Sequence, residues 1–205
     1  MTISLINLLI RTLAFSFKMP SVHAADYFQV VDNFECPEGL MTAVEQAAGG
    51  KLFHHVVESD KVATGILKEV NRRKLPGVFT FLPLNRIRPK QRPAFDRDQT
   101  KNAFPIMDKI ECKDEHNEVM EFVFEGALVC RDMKTVVQMA KVTGRDCITL
   151  EGDKSSCKGV LTGGYLDKEK SRLGGWLTYR GGQKFGSLSI TNAIFCPVQT
   201  KPRKL

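Results

Sequence analysis

The sequence predicts an α/β (α+β) chain of two similar subdomains, each a small mixed sheet with helices. Three observations carry this expectation. Short apolar runs rich in Val, Ile and Phe alternate with stretches whose apolar residues fall at helical spacing, the pattern of strands joined by helices. The order helix, glycine, strand, Asp, helix, strand occurs twice, over 43–84 and again over 118–150, which reads as an internal duplication. Finally, 205 residues at 42% hydrophobic and 26% charged are an ordinary globular composition, long enough to bury one or two cores.

In the first half, Tyr27 to Phe34 reads as a strand with Val30, Val31 and Phe34 apolar. Pro37 and Glu38 open a helix to Ala48, with Leu40, Val44 and Ala47 on one face and Gly49-Gly50 as its stop. Lys51 to Val57 is a strand. His54 and His55 are neighbours on it and point to opposite faces, so they read as core or edge histidines and not as a metal pair. Asp60 is the expected cap of a helix from Lys61 to Lys74, with Val62, Ile66, Leu67 and Val70 facing the core. Pro76-Gly77 then turns the chain into a strand from Val78 to Leu84.

Arg86, Arg88, Lys90 and Arg92, broken by Pro89 and Pro93, form an exposed, semi-rigid basic loop. The stretch from Arg86 to Asn102 is the expected boundary between subdomains, placed at 26–95 and 96–173. In the second half, Glu118 to Glu125 is a helix stopped by Gly126, and Ala127 to Arg131 is a strand. Asp132 caps the helix Met133 to Val142, which Gly144 ends, and Cys147 to Leu150 is a strand.

The next stretch carries the strongest functional signal. Gly152-Asp153 marks a turn, and Lys158 to Tyr165 reads as a second strand holding Gly159, Gly163 and Gly164. Glycine weakens a strand interior and marks a bulge or the close approach of another backbone. Three glycines in six residues point to an edge strand that another chain or a ligand approaches; a glycine-rich surface hairpin is the plainer alternative.

Ile148-Thr149-Leu150-Glu151-Gly152-Asp153, Gly159-Val160-Leu161-Thr162-Gly163-Gly164-Tyr165 and Lys170-Ser171-Arg172-Leu173 resemble the end of the hinge domain of SMC proteins, in particular the third SMC subunit of cohesin. Asn33-Phe34-Glu35-Cys36, Ala43-Val44-Glu45, Leu52-Phe53-His54, Leu75-Pro76-Gly77 and Phe79 to Asn85 fall in the order that hinge has, so the resemblance covers about 26–173. It implies a hinge that dimerises head to tail with the partner SMC hinge of cohesin, in a nuclear, chromosomal setting. It also makes Gly159, Val160, Leu161, Gly163 and Gly164 the interface candidates, with a second surface near Asn33 to Cys36 or Phe53 to Val57. Main-chain pairing across an exposed edge would supply affinity, and absent side chains would let backbones approach.

DNA binding is the companion expectation. Net charge is +7, and Arg86, Arg88, Lys90, Arg92, Lys158, Lys170 and Arg172 are the candidate phosphate contacts. Residues 1–25 stand outside the hinge. Ser4 to Phe17 resembles a signal-peptide core with a small-residue site at Val22-His23-Ala24, which leaves a small secreted protein as a third reading. Arg11 divides that run, which is too short to span a bilayer, and no membrane partner is expected. Residues 174–205 are expected to be irregular or disordered, because Gly174-Gly175, Gly181-Gly182, Pro197 and Pro202 oppose a long helix. The pattern as a whole reads as an isolated hinge or a fragment of a longer chain.

No catalytic, cofactor or metal site is expected. No G-x-x-x-x-G-K-[ST] loop occurs; Gly152-Asp153-Lys154-Ser155 puts a carboxylate where phosphate would sit. Six cysteines, at 36, 112, 130, 147, 157 and 196, show neither C-x-x-C nor zinc spacing with histidine. Cys130 and Cys147 lie in apolar runs and read as small buried hydrophobes.

Overall fold

Leu128, Val129 and Cys130 are all fully buried, a continuous apolar strand of the kind that lies inside a sheet covered on both faces. They form an inner strand of the larger of two main sheets in the computed structural model. The structure describes residues 28–90, 102–167 and 170–179, the last three without their side chains. The strands are β1 (Phe28–Gln29), β2 (Phe34–Glu35), β3 (His55–Val57), β4 (Phe81–Pro83), β5 (Ala103–Pro105), β6 (Glu111–Cys112), β7 (Leu128–Cys130), β8 (Cys147–Thr149), β9 (Lys154–Ser155) and β10 (Leu161–Thr162). The α-helices are α1 (Met41–Ala48), α2 (Asp60–Arg72), α3 (Asn117–Phe124), α4 (Met133–Thr143) and α5 (Arg172–Tyr179).

The two halves share one pairing scheme. In the first, β1 runs antiparallel to β3, and β3 runs parallel to β4 through the crossover helix α2. In the second, β5 runs antiparallel to β7, and β7 runs parallel to β8 through α4. A parallel pair needs such a crossover, and the core-facing stripes of the two helices supply it. Ala63, Ile66 and Val70 of α2 pack with Val57; Val136, Met139 and Ala140 of α4 pack with Leu128, Cys130 and Cys147. The second half then adds a hairpin, so its sheet runs β10-β9-β8-β7-β5. Of the described residues, one compact unit holds 28–35, 48–90 and 111–125, and the other holds 36–47, 102–110, 126–167 and 170–179. Each unit therefore includes one helix from the other half of the chain, α3 in the first unit and α1 in the second.

Several elements differ from expectation for identifiable reasons. The strand expected over Tyr27 to Phe34 is two short strands separated by a 3-10 turn at Val30–Asp32. Val30 and Val31 are both buried, which an alternating strand cannot achieve. The helix after Pro37 begins as a 3-10 turn, Glu38–Leu40, and Ala48 replaces Ala47 among its buried residues. A 3-10 turn, Gly49–Phe53, also replaces the first half of the strand expected over Lys51 to Val57. Ser59, not Asp60, caps α2: its Oγ accepts the Val62 N–H at 3.4 Å. The Asp60 carboxylate instead accepts hydrogen bonds from Asn85 and Arg86. Leu67 faces outward and Ala63 takes its place in the core. The strand expected over Val78 to Leu84 shrinks to β4, with Val78 96% exposed.

The tail expectation also changes. Helix α5 runs through Gly174-Gly175, although glycine costs about 1 kcal/mol per helical position. Its N-terminus is secured from α1. The Glu45 carboxylate accepts the Arg172 N–H at 3.0 Å, the Leu173 N–H at 3.5 Å and the Ser171 hydroxyl at 2.7 Å. Ser171 Oγ in turn accepts the Gly174 N–H at 2.9 Å, and Leu173 is buried. Residues 1–25 and 180–205 lie outside the described residues, as do Arg92 and Cys196.

Two expectations about single residues hold. Cys130 and Cys147 are buried inside the α4-covered sheet. His55 is a core histidine, its ring 5.5 Å from that of Phe81 and 6.4 Å from that of Phe79. Burial, then the neighbouring His54, pushes its pKa down to about 4.

Two predictions follow from this core. Leu128→Ala is expected to cost about 2–5 kcal/mol of unfolding free energy, read by urea denaturation, because Leu128 is fully buried in the core under α4. For His55, the unfolded chain takes up its proton near pH 6.5 and the folded chain only near 4, so stability is lost as pH falls through that window. The contribution is on the order of 3 kcal/mol, and His55→Gln is expected to show a correspondingly shallower loss between pH 7 and pH 4.

Candidate interface: the open edge at β10

Strand β10 is the outermost strand of the five-stranded sheet. It pairs antiparallel with β9, Leu161 opposite Ser155 and Thr162 opposite Lys154. Its other side faces no strand among the described residues. An open edge presents unpaired N–H and C=O groups, which template the addition of another strand. Val160 is 60% exposed, Leu161 58% and Tyr165 94%, an apolar rim along that edge.

The hairpin is held firmly to the sheet. The Lys154 ammonium meets the Asp146 carboxylate at 2.8 Å, and the Cys157 N–H donates to the same carboxylate at 3.0 Å. Burial raises the Asp146 carboxyl, but these hydrogen bonds outweigh it and leave it below its ordinary range. The loop from β9 to β10 closes with Ser156 N–H to Val160 C=O at 2.8 Å and Gly159 N–H to Ser156 C=O at 2.9 Å. Gly159 sits in this turn at φ +86°, a conformation side chains disfavour. At the other end of the hairpin the turn before β9 is tied by Thr149: its N–H donates to the Asp153 carbonyl, and its Oγ1 accepts the Asp153 N–H at 3.0 Å.

The interface candidates Gly159, Val160, Leu161, Gly163 and Gly164 therefore lie together on one exposed hairpin. The strand itself is shorter than the Lys158 to Tyr165 expected, and β9 went unforeseen because Lys154-Ser155 carries no apolar signal. The second surface expected at Phe53 to Val57 cannot be an edge, since β3 is paired on both sides. Likewise Phe34 and Glu35 are paired with β6. Strand β4 ends the first sheet and follows exposed Val78, which nothing in the sequence distinguished from a strand residue.

The candidate cations divide between the two units. Arg86, Arg88 and Lys90 belong to the first unit, and Lys158, Lys170 and Arg172 to the second. Arg86 meets Asp60 at 2.6 Å, Lys90 meets Glu125 at 2.8 Å and Lys170 meets Asp167 at 3.5 Å. Arg88 donates to the Ile87 carbonyl, and Lys158 is exposed in the β9–β10 loop. No group of three metal-ligating side chains occurs among the described residues, and none of their helices is long and apolar enough to cross a membrane.

Comparison with known proteins bears directly on this hairpin-edged α/β architecture. Residues 23–140 match the family of SMC proteins' flexible hinge domains. The structural maintenance of chromosomes protein 3 of Caenorhabditis elegans is 36% identical over 148 residues, 72% of this chain, and that of Arabidopsis thaliana is 39% identical over 144 residues, 70% of this chain. The chain spans 12% of the length of either relative. Among solved structures, the folded elbow of cohesin superposes with a TM-score of 0.68 at 28% identity, over 88% of this chain and 26% of that one. An asymmetric dimer of the Geobacillus stearothermophilus SMC hinge domain gives 0.61 at 25% identity, over 76% of this chain and 66% of that one. With its duplicated sheets, its extra terminal hairpin and these relatives, the chain belongs to the SMC flexible hinge domain family.

Proposed function

We propose that this chain is a dimerisation module that joins a second SMC hinge through the free edge of β10, with the other SMC hinge of a cohesin-type complex as its partner. The observation that carries the reading is the open edge itself, rimmed by exposed Val160, Leu161 and Tyr165 on an anchored hairpin. Strand addition there forms main-chain hydrogen bonds, and the rim buries apolar area at the same time. A specific interface needs roughly 800 Å² per partner, more than one two-residue strand provides. The edge of β4 beside Val78 supplies a second contact of the same kind, which suits a head-to-tail arrangement of two hinges. The proposed role is assembly, and kinship with structural maintenance of chromosomes proteins supports a chromosomal setting in the nucleus.

The test is solution mass by light scattering after size exclusion, for the 23.0 kDa chain alone and mixed with the partner hinge. A 1:1 complex is expected from the mixture. Val160→Glu with Leu161→Glu is expected to abolish it while leaving the fold intact, because both side chains are exposed in the chain by itself. A double variant that still forms the complex removes β10 from the interface, and a dimer of the chain alone makes a second copy the partner.

Duplex DNA is proposed as an accessory ligand on the net charge of +7, with Arg88 and Lys158 as the leading contacts. Replacing both by Gln is expected to reduce the slope of log K against log salt by about 2, since each phosphate contact contributes about 0.9. An unchanged slope makes them solvated surface.

A further inference from the structure

The residue pairing of the hairpin places Gly163 directly across from Asp153, one step beyond the Thr162–Lys154 pair. Gly163 does not occupy the left-handed region, so its backbone does not demand glycine. Space does. A β-carbon at Gly163 would overlap Asp153 Oδ1 and stand 3.1 Å from its Cγ. The same Oδ1 accepts the N–H of Gly164 at 3.2 Å, so the carboxylate continues the β9–β10 ladder where main-chain pairing ends. Gly164 follows at φ +148° with open space around its α-carbon. Asp153 is itself fixed by the Thr149 bonds, and its neighbour Gly152 is buried against Leu166, Thr42 and Gln46.

Resting on the dimer reading above, we propose that Asp153 is a positioning residue: its carboxylate lies over Gly163 and holds the Gly164 N–H, setting the edge backbone in the form a partner strand receives. Gly163 is then glycine for Asp153 and not for the partner. This separates the three glycines by cause. Gly159 serves the loop, Gly163 serves the carboxylate, and Gly164 takes a positive φ that side chains rarely adopt.

The experiment uses the full chain with three single variants and one double variant, read by melting temperature, affinity for the partner hinge and Gly164 amide exchange in the chain alone. Asp153→Ala is expected to weaken association about tenfold or more and to speed Gly164 exchange, at little cost to melting temperature. Asp153→Asn keeps an acceptor oxygen and is expected to retain both. Gly163→Ala is expected to damage melting temperature and association in the unsubstituted chain but to add little in the Asp153→Ala background. Equal damage from Gly163→Ala in both backgrounds overturns the proposal, as does Gly164 exchange or partner affinity unaffected by Asp153→Ala. If the unsubstituted chain binds no hinge, the dimer reading falls separately, and the Gly164 exchange rate still decides whether Asp153 holds that backbone.

Discussion

Burial of β7 is the constraint on which the second sheet depends. Leu128, Val129 and Cys130 are fully buried, so the strand needs cover on both faces and a partner on both sides. Its parallel neighbour β8 can be reached only through a crossover, which α4 provides with Val136, Met139 and Ala140 turned inward. Asp132 starts that helix by accepting the Thr135 N–H at 2.8 Å, and Gly144 ends it with its N–H on the Ala140 carbonyl. With β5 on one side of β7 and β8 on the other, the chain extends the sheet outward from β8. The hairpin β9–β10 does so and leaves its last strand at the edge.

An open edge carries a risk, since it pairs with whatever strand it meets. The hairpin limits that risk by being short and by being fixed in shape. Asp146 ties the loop, Thr149 ties the turn and Asp153 extends the pairing by one residue. A fixed edge loses less conformational freedom on association than a frayed one, so more of the main-chain pairing appears as affinity. The same economy is seen at α5, where the Glu45 carboxylate satisfies N–H groups that would otherwise lack partners.

Much of this was legible in the sequence because the signals were local. Asp132, Gly144 and the apolar period of α4 mark that helix on their own, and the repeated helix–glycine–strand order gave the duplication. The three glycines marked the hairpin. What escaped depended on residues distant in the chain. The helix through Gly174-Gly175 exists because Glu45, more than 120 residues earlier, caps it. The cap of α2 moved to Ser59 because Asn85 and Arg86 engage Asp60. Strand β9 has no apolar pattern and forms because β8 and β10 flank it. The glycine signal located the edge correctly but gave one cause for three residues, since the Asp153 contact is visible only in three dimensions.

The proposed hinge contact is a strand received by β10 from another hinge. Hydrogen–deuterium exchange of the full chain, with and without the partner hinge, reads the main-chain amides of that edge directly. Exchange over Val160 to Gly164 is expected to slow on complex formation, with the amides of β7 and β8 already slow in both states. A complex that forms while exchange over Val160 to Gly164 stays as fast as in the free chain would contradict it.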